Sequence, residues 1–276
     1  MVALHRAQVV RIAVAVAALA AAVGAEARVD RALAEGGVQR AAFSVPVVAH
    51  RHPVRPLLAR TTGRVTAHRG EVVDVPQRQL LLGLPAALGA DGSAVEVGYP
   101  DAPDVLTLFE DFRCSTTRAF EGAQGPALAA MAASHQVLIR YVLESSLDER
   151  LPGPGALLAT NAARAALAHG GFPLYHALLF ANQPPEDTDG FTQQRLLELA
   201  SAVPGLRGAA FDDEVRSVAY RQWVGQAQQA YNDAGVHFGT PSMLLNGNEV
   251  DLGTHPQLLT APSALQSFVR DAAERG

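Results

Sequence analysis

Lysine is absent from this chain and sulfur is scarce. All 22 basic residues among the 276 are arginine, and Cys114 is the single cysteine. Without lysine there is no Walker phosphate loop, no pyridoxal Schiff base and no Ser-Lys dyad, because each needs the amine. One cysteine cannot close an intramolecular disulfide, so the fold must stand on packing alone. Aromatics are also few, at 6%, which leaves an Ala-rich core to carry a hydrophobic content of 49%. That balance suits one full domain plus an accessory segment, or two small domains, and does not suit sustained disorder. A formal charge of −5 with no basic cluster argues against a nucleic-acid partner, which needs a stripe of phosphate-neutralising groups. No Gly-x-Ser-x-Gly elbow is present, so hydrolase chemistry of that type has no nucleophile.

The N-terminus reads as a targeting element. His5, Arg6 and Arg11 lead into Ile12 to Ala25, which carries no charge. That run is short of the roughly 20 apolar residues that span a bilayer. Ala25-Glu26-Ala27 places small residues where a signal peptidase reads. Two readings remain: a cleaved signal peptide, or an uncleaved membrane anchor with Arg11 snorkelling to the interface. Either directs the rest of the chain outward, to an extracytoplasmic location, secreted or held at the outer face of the cytoplasmic membrane.

The expected organisation is a signal or anchor over residues 1–27, an irregular extension or linker over 28–92, and one domain over 93–276. Prolines break the extension into short runs, with one candidate hairpin pairing Arg64–His68 with Glu71–Val75. After it, Val105–Phe109 is an apolar run of the kind buried on both sheet faces. A helix over Ala119–Ala133 and a strand over Val137–Leu143 complete a strand, helix, strand unit. Helical patterns then cover Ala156–His169, Pro173–Ala181, Phe191–Ala202 and Phe211–Ala234, a helical insertion spanning about 156–234. Asn246-Gly247-Asn248 between Ser242–Leu245 and Glu249–Leu252 is a hairpin cue, and Ser263–Glu274 a closing helix. The fold class is α/β, with a mixed sheet interrupted by helices.

Cys114 falls where the strand runs into the helix. There it meets unpaired N–H groups and the positive end of the helix dipole, which favour a nucleophilic thiolate without a histidine base. Ser115 and Thr116 are candidates to cap the helix, and Thr117 could turn a hydroxyl back to the sulfur. A free cysteine at such a junction can equally be a small buried hydrophobe.

Val97-Gly98-Tyr99-Pro100-Asp101-Ala102-Pro103, the strand after it, Glu110-Asp111-Phe112-Arg113-Cys114, and far downstream Gly239-Thr240-Pro241-Ser242 resemble the DsbA-like branch of the thioredoxin fold. Tyr175–Pro184 and Tyr220–Trp223 are similar to its helical insertion, and the likeness covers roughly residues 94–274. The resemblance implies a thioredoxin-like fold and thiol:disulfide oxidoreductase chemistry. It implies Cys114 as the attacking thiol and Pro241 as the proline whose preceding peptide is cis. It also implies Thr240 as the residue whose backbone receives an extended substrate segment. Protein or small-thiol substrates are the implied partners, and neither a cofactor nor a metal is expected.

The chain departs from that family at informative places. Its Cys-x-x-Cys here reads Cys114-Ser115-Thr116-Thr117, so Thr117 stands in place of the resolving cysteine, and Leu108 stands where the wider thioredoxin fold commonly places a buried acid, six residues before the first cysteine. What remains open is one-thiol exchange at Cys114, released by an external thiol, or a redox-inactive binding module on the same fold. Other groups carry less. His50 and His52 have ligand spacing but no third donor, and Gly153-Pro154-Gly155 reads as a linker rather than a dinucleotide loop. His169 and His176 fall on the helical insertion, where packing or solvation is the default. His237, four residues before Pro241, is a candidate to stabilise a thiolate, against the commoner role of a loop histidine. Trp223 with Tyr220 and Val224 reads as core.

Overall fold

The computed structural model describes residues 70–274. The targeting segment, the first arm of the expected hairpin, His50 and His52 lie outside them. Among the described residues no helix is long and apolar enough to cross a membrane.

Strand β3 (Asp104–Asp111) is the apolar run with one residue added before it and two after, and its last six residues are all buried. It pairs in parallel with β4 (Val137–Glu144) from Asp104↔Val137 to Asp111↔Glu144. The crossover between them is helix α2 (Ser115–Ala133), which buries Phe120, Leu128 and Met131 against the sheet. Strand β5 (Ser242–Leu245) runs antiparallel beside β3, and β6 (Asn248–Glu249) returns through the Asn246-Gly247 turn, both residues with positive φ. Asn246 also closes the turn onto the sheet, its Oδ1 accepting from Val105 N at 2.8 Å.

The far edge comes from a segment that reads as linker in the sequence. Helix α1 (Arg78–Gly83) leads to β1 (Ala86–Leu88), which pairs antiparallel with β2 (Val95–Val97), itself antiparallel to β4. The sheet order is therefore β1-β2-β4-β3-β5-β6. Val75, Leu81 and Leu84 join the core from this stretch, so the described part of residues 28–92 belongs to the fold. Glu71–Val75 is not a hairpin arm. Val73 instead gives both backbone groups to the Asn182 side chain, accepting from Nδ2 and donating to Oδ1 at 2.8 Å each.

The insertion is five helices: α3 (Gly155–Ala168), α4 (Phe172–Ala181), α5 (Gln193–Ala200), α6 (Ala209–Ser217) and α7 (Arg221–Asp233). Helix α5 starts later than the pattern suggests because the Thr192 hydroxyl accepts from Arg195 N and caps it. The expected single helix over 211–234 is broken at Val218, which is left-handed at φ 52°. Asn161 on α3 holds the break: its Oδ1 accepts from Tyr220 N at 2.8 Å and its Nδ2 donates to Glu214 O. Trp223 is core, 6% exposed, with its indole N–H on the Gly92 carbonyl. Helices α8 (Gln257–Thr260) and α9 (Ala264–Ala273) pack Leu258, Leu265 and Val269 into the core.

Candidate active site

The sheet register places the two distant motifs side by side. Phe109 on β3 opposes Ser242 on β5, so the loop before Ser242 lies across from the end of β3, where Cys114 follows. Carboxyl ends of central strands are where open α/β sheets commonly place their sites. Cys114 N donates to Asp111 O at 3.0 Å, and Cys114 is the N-cap of α2, extended at φ −67° and ψ 119°. The thiol is half-buried and donates to the Thr240 carbonyl, with Sγ···O 3.1 Å across 126 residues of sequence. The Thr240–Pro241 peptide is cis, Pro241 is buried and Thr240 half-buried. Gly239, at φ 73°, takes a conformation that disfavours a side chain, and its carbonyl accepts from the Ser242 hydroxyl at 2.6 Å.

Side chains from the helical insertion fix the turn that carries the sulfur. Gln183, just after α4, donates from Nε2 to Phe112 O at 2.7 Å and to Cys114 O at 2.9 Å. Arg113 is buried and pairs with Asp148 at 2.8 Å, while also donating to the carbonyls of Gly153, Glu186 and Thr188. Asp148 in turn accepts from Ala156 N and Leu157 N, the opening amides of α3. Sequence reasoning did not single out Gln183, Arg113 or Asp148. The signal available was an arginine next to the cysteine at the end of a buried strand, where a charge must find partners.

The predicted helpers of the thiol lie elsewhere. Neither Ser115 nor Thr116 caps α2. The Ser115 N–H is taken by the Glu186 carboxylate at 3.0 Å, so an anion already occupies the first amide of the helix. Thr117 is fully buried, and its hydroxyl has no hydrogen-bond partner, on the sulfur or elsewhere. His237 is a solvated loop histidine, paired with Glu249 at 2.8 Å, with its side chain 80% exposed. His169 pairs with Glu214. Leu108 is core.

Two acid clusters flank the end of β3, one on each face of the sheet. On one face Glu110, Glu121 and His176 are all buried, with His176 Nε2 2.8 Å from Glu110 Oε2. Burial pushes Glu110 up to about 8 and Glu121 well above the usual carboxyl range, and pulls His176 down to about 4. The His176 contact is thus a hydrogen bond of a neutral imidazole, not an ion pair. These three groups have ligand atoms close enough to share a metal ion. On the other face Asp111 and Glu144, partners in the β3–β4 register, are both buried. Burial, then the Glu144 charge, pushes Asp111 up to about 8, and burial also raises Glu144. Tyr231 of α7 lies beside this pair, its ring 6.0 Å from that of Phe109.

A thioredoxin family model matches residues 90–261. Among solved structures, the reduced disulfide bond oxidoreductase DsbG from Mycobacterium tuberculosis is similar at 25% identity and a TM-score of 0.55, over 67% of this chain and 88% of that one. DsbA from the same organism matches at 24% identity and a TM-score of 0.51, over 60% of this chain and 91% of its own. MdbA, a thiol-disulfide oxidoreductase from Corynebacterium diphtheriae, shares the fold at 16% identity and a TM-score of 0.52, over 63% and 91%. No curated protein matches. This chain belongs to the DsbA-like thioredoxin-fold family.

Proposed function

We propose that this chain is an exported, single-thiol disulfide-exchange protein, with Cys114 as its nucleophile and the Thr240–Pro241 loop as the wall of its substrate groove. The supporting observation is the half-exposed sulfur 3.1 Å from Thr240 O. In the reaction, the Cys114 thiolate attacks a client disulfide, forms a Cys114–client bond and releases the other client sulfur as a thiolate. An external thiol, small or protein-borne, then attacks the mixed bond, frees Cys114 and remains joined to the client. The substrate segment lies extended beside the sulfur, against Thr240. Phe238, 43% exposed two residues before Thr240, offers a client chain an apolar contact. Export rests on residues 1–27, and a cleaved signal would leave a mature chain beginning at Arg28.

The test is trapping. Reduced protein incubated with a peptide disulfide is expected to yield a stable one-to-one adduct on Cys114, seen as an added peptide mass, because Thr117 cannot resolve it. C114S is expected to yield none. A wild-type thiol that forms no adduct while the fold is intact would rule the reading out.

A second reading, a redox-inactive binding module, is favoured by two observations at the same place. No second cysteine follows Cys114, and Glu186 holds the Ser115 amide. On that reading C114S binds partners as the wild type does, which a pull-down of the exported protein would show.

A further inference from the structure

The cluster on the α2 face of the sheet has more polar capacity than its surroundings use. Glu110 comes from β3, Glu121 from α2 and His176 from α4. One ligand atom from each lies within 4.8 Å of the other two. The Glu110 and Glu121 carboxyls face each other and can share a proton, and beyond that contact Glu110 Oε1 and Glu121 Oε1 are buried with no hydrogen-bond partner. Among the described residues neither carboxyl pairs with an arginine. Gln77, 9% exposed, lines a cavity of about 10 Å³ with Glu121, His176 and Tyr141, and its Oε1 also lacks a partner. Native interiors hold few such atoms, and each needs an explanation.

We propose that Glu110, Glu121 and His176 bind one first-row divalent cation, for which Zn2+ is the representative probe. A cation entering the cluster displaces the protons that burial keeps on the two carboxyls, and the two carboxylates so formed, with a neutral imidazole, carry the −2 that a divalent ion cancels without any further counter-ion. One nitrogen and two oxygens are a donor set for Zn2+ and its neighbours rather than for Ca2+, which takes oxygen alone. The three ligands stand on three packed elements, which suits a preorganised site. The Gln77 carbonyl or one water supplies the fourth position, since a cavity of about 10 Å³ has room for roughly one water. Access is through an adjoining cavity of about 150 Å³, which shares Gln77, Glu121 and Ala177 with the inner one. No sequence spacing marks this site, because its donors lie 11 and 55 residues apart and meet only through the fold.

The experiment uses the full-length protein, stripped with a chelator, loaded with Zn2+ and desalted, with metal content read by mass spectrometry. About one equivalent is expected to remain bound, with a rise in Tm. E121Q and H176Q are each expected to weaken binding by more than about 100-fold, beyond the roughly 10–100-fold lost when only a group that orients a ligand is removed. H237Q, at the exposed His237–Glu249 pair, is expected to bind as the wild type does. If E121Q fails to fold, Co2+ in the wild type decides: a visible absorption band with paramagnetically shifted His176 ring signals supports the site. Folded wild type that retains no metal, or E121Q and H176Q that retain as much as the wild type, would overturn it. So would E121Q raising Tm while Zn2+ leaves the wild type unchanged, because the cluster then holds only protons.

Discussion

Thr117 stands three residues after Cys114, and its hydroxyl is buried without a partner. A buried unsatisfied hydroxyl costs about 1–3 kcal/mol, so Thr117→Val is expected to stabilise the protein by about 1 kcal/mol in urea unfolding. Thr117→Cys should act on chemistry instead. It restores a second sulfur one helical turn from Cys114, so the trapped peptide adduct is expected to disappear and the protein to recover as an internal disulfide. An adduct that persists in T117C would mean that the two sulfurs cannot meet. Phe238→Ala separates the two client classes. Exchange with a protein disulfide is expected to slow by several-fold while exchange with a small disulfide is unchanged; equal effects on both would remove Phe238 from the client surface.

The elements around the thiol are joined by few but heavily used side chains. Asp148 pairs with buried Arg113 and also takes two opening amides of α3. Breaking one partner of a buried ion pair costs about 3–5 kcal/mol. Asp148→Ala is expected to destabilise by that order in urea unfolding and to loosen the Cys114 turn, seen as faster proteolysis of residues 146–155. Strands β3 and β4, helix α2 and the Asn-Gly hairpin were legible because each is long, strongly patterned or marked by a turn signal. Strands β1 and β2 were not, since three residues are too few to show alternation and their pairing is decided by β4, far along the chain. The break at Val218 was hidden as well, because a β-branched residue in a left-handed conformation gives no local cue, and its cause is Asn161 on another helix. At the site, Cys114, Thr240 and Pro241 were readable from their motifs. Gln183 and His176 were not, because they reach β3 or its turn only after the insertion folds back, and Glu121 was not, because on α2 its partners are Glu110 of β3 and His176 of the insertion.

For the whole molecule, buried carboxyls on both faces of the sheet set the pH behaviour. Glu144 titrates above its ordinary value of 4.5 because it is buried. Below that value both folded and unfolded chains are protonated; as pH rises above it, the unfolded chain releases a proton that the folded chain keeps, and stability falls. Glu144→Gln removes this penalty. Its advantage over the wild type in urea midpoint is therefore expected to be smallest near pH 4 and to grow toward pH 8, whereas a constant difference would mean Glu144 ionises normally. The family supplies a scaffold on which a thiol can act, and whether the thiol acts here turns on the sulfur beside Thr240. The most direct measurement is the rate at which a peptide disulfide exchanges with the native protein at neutral pH, set against the same chain unfolded in urea. An active Cys114 reacts faster in the native chain and leaves a mixed disulfide that C114S cannot form. A native rate no greater than that of the unfolded chain would contradict the assignment of Cys114 as a nucleophile.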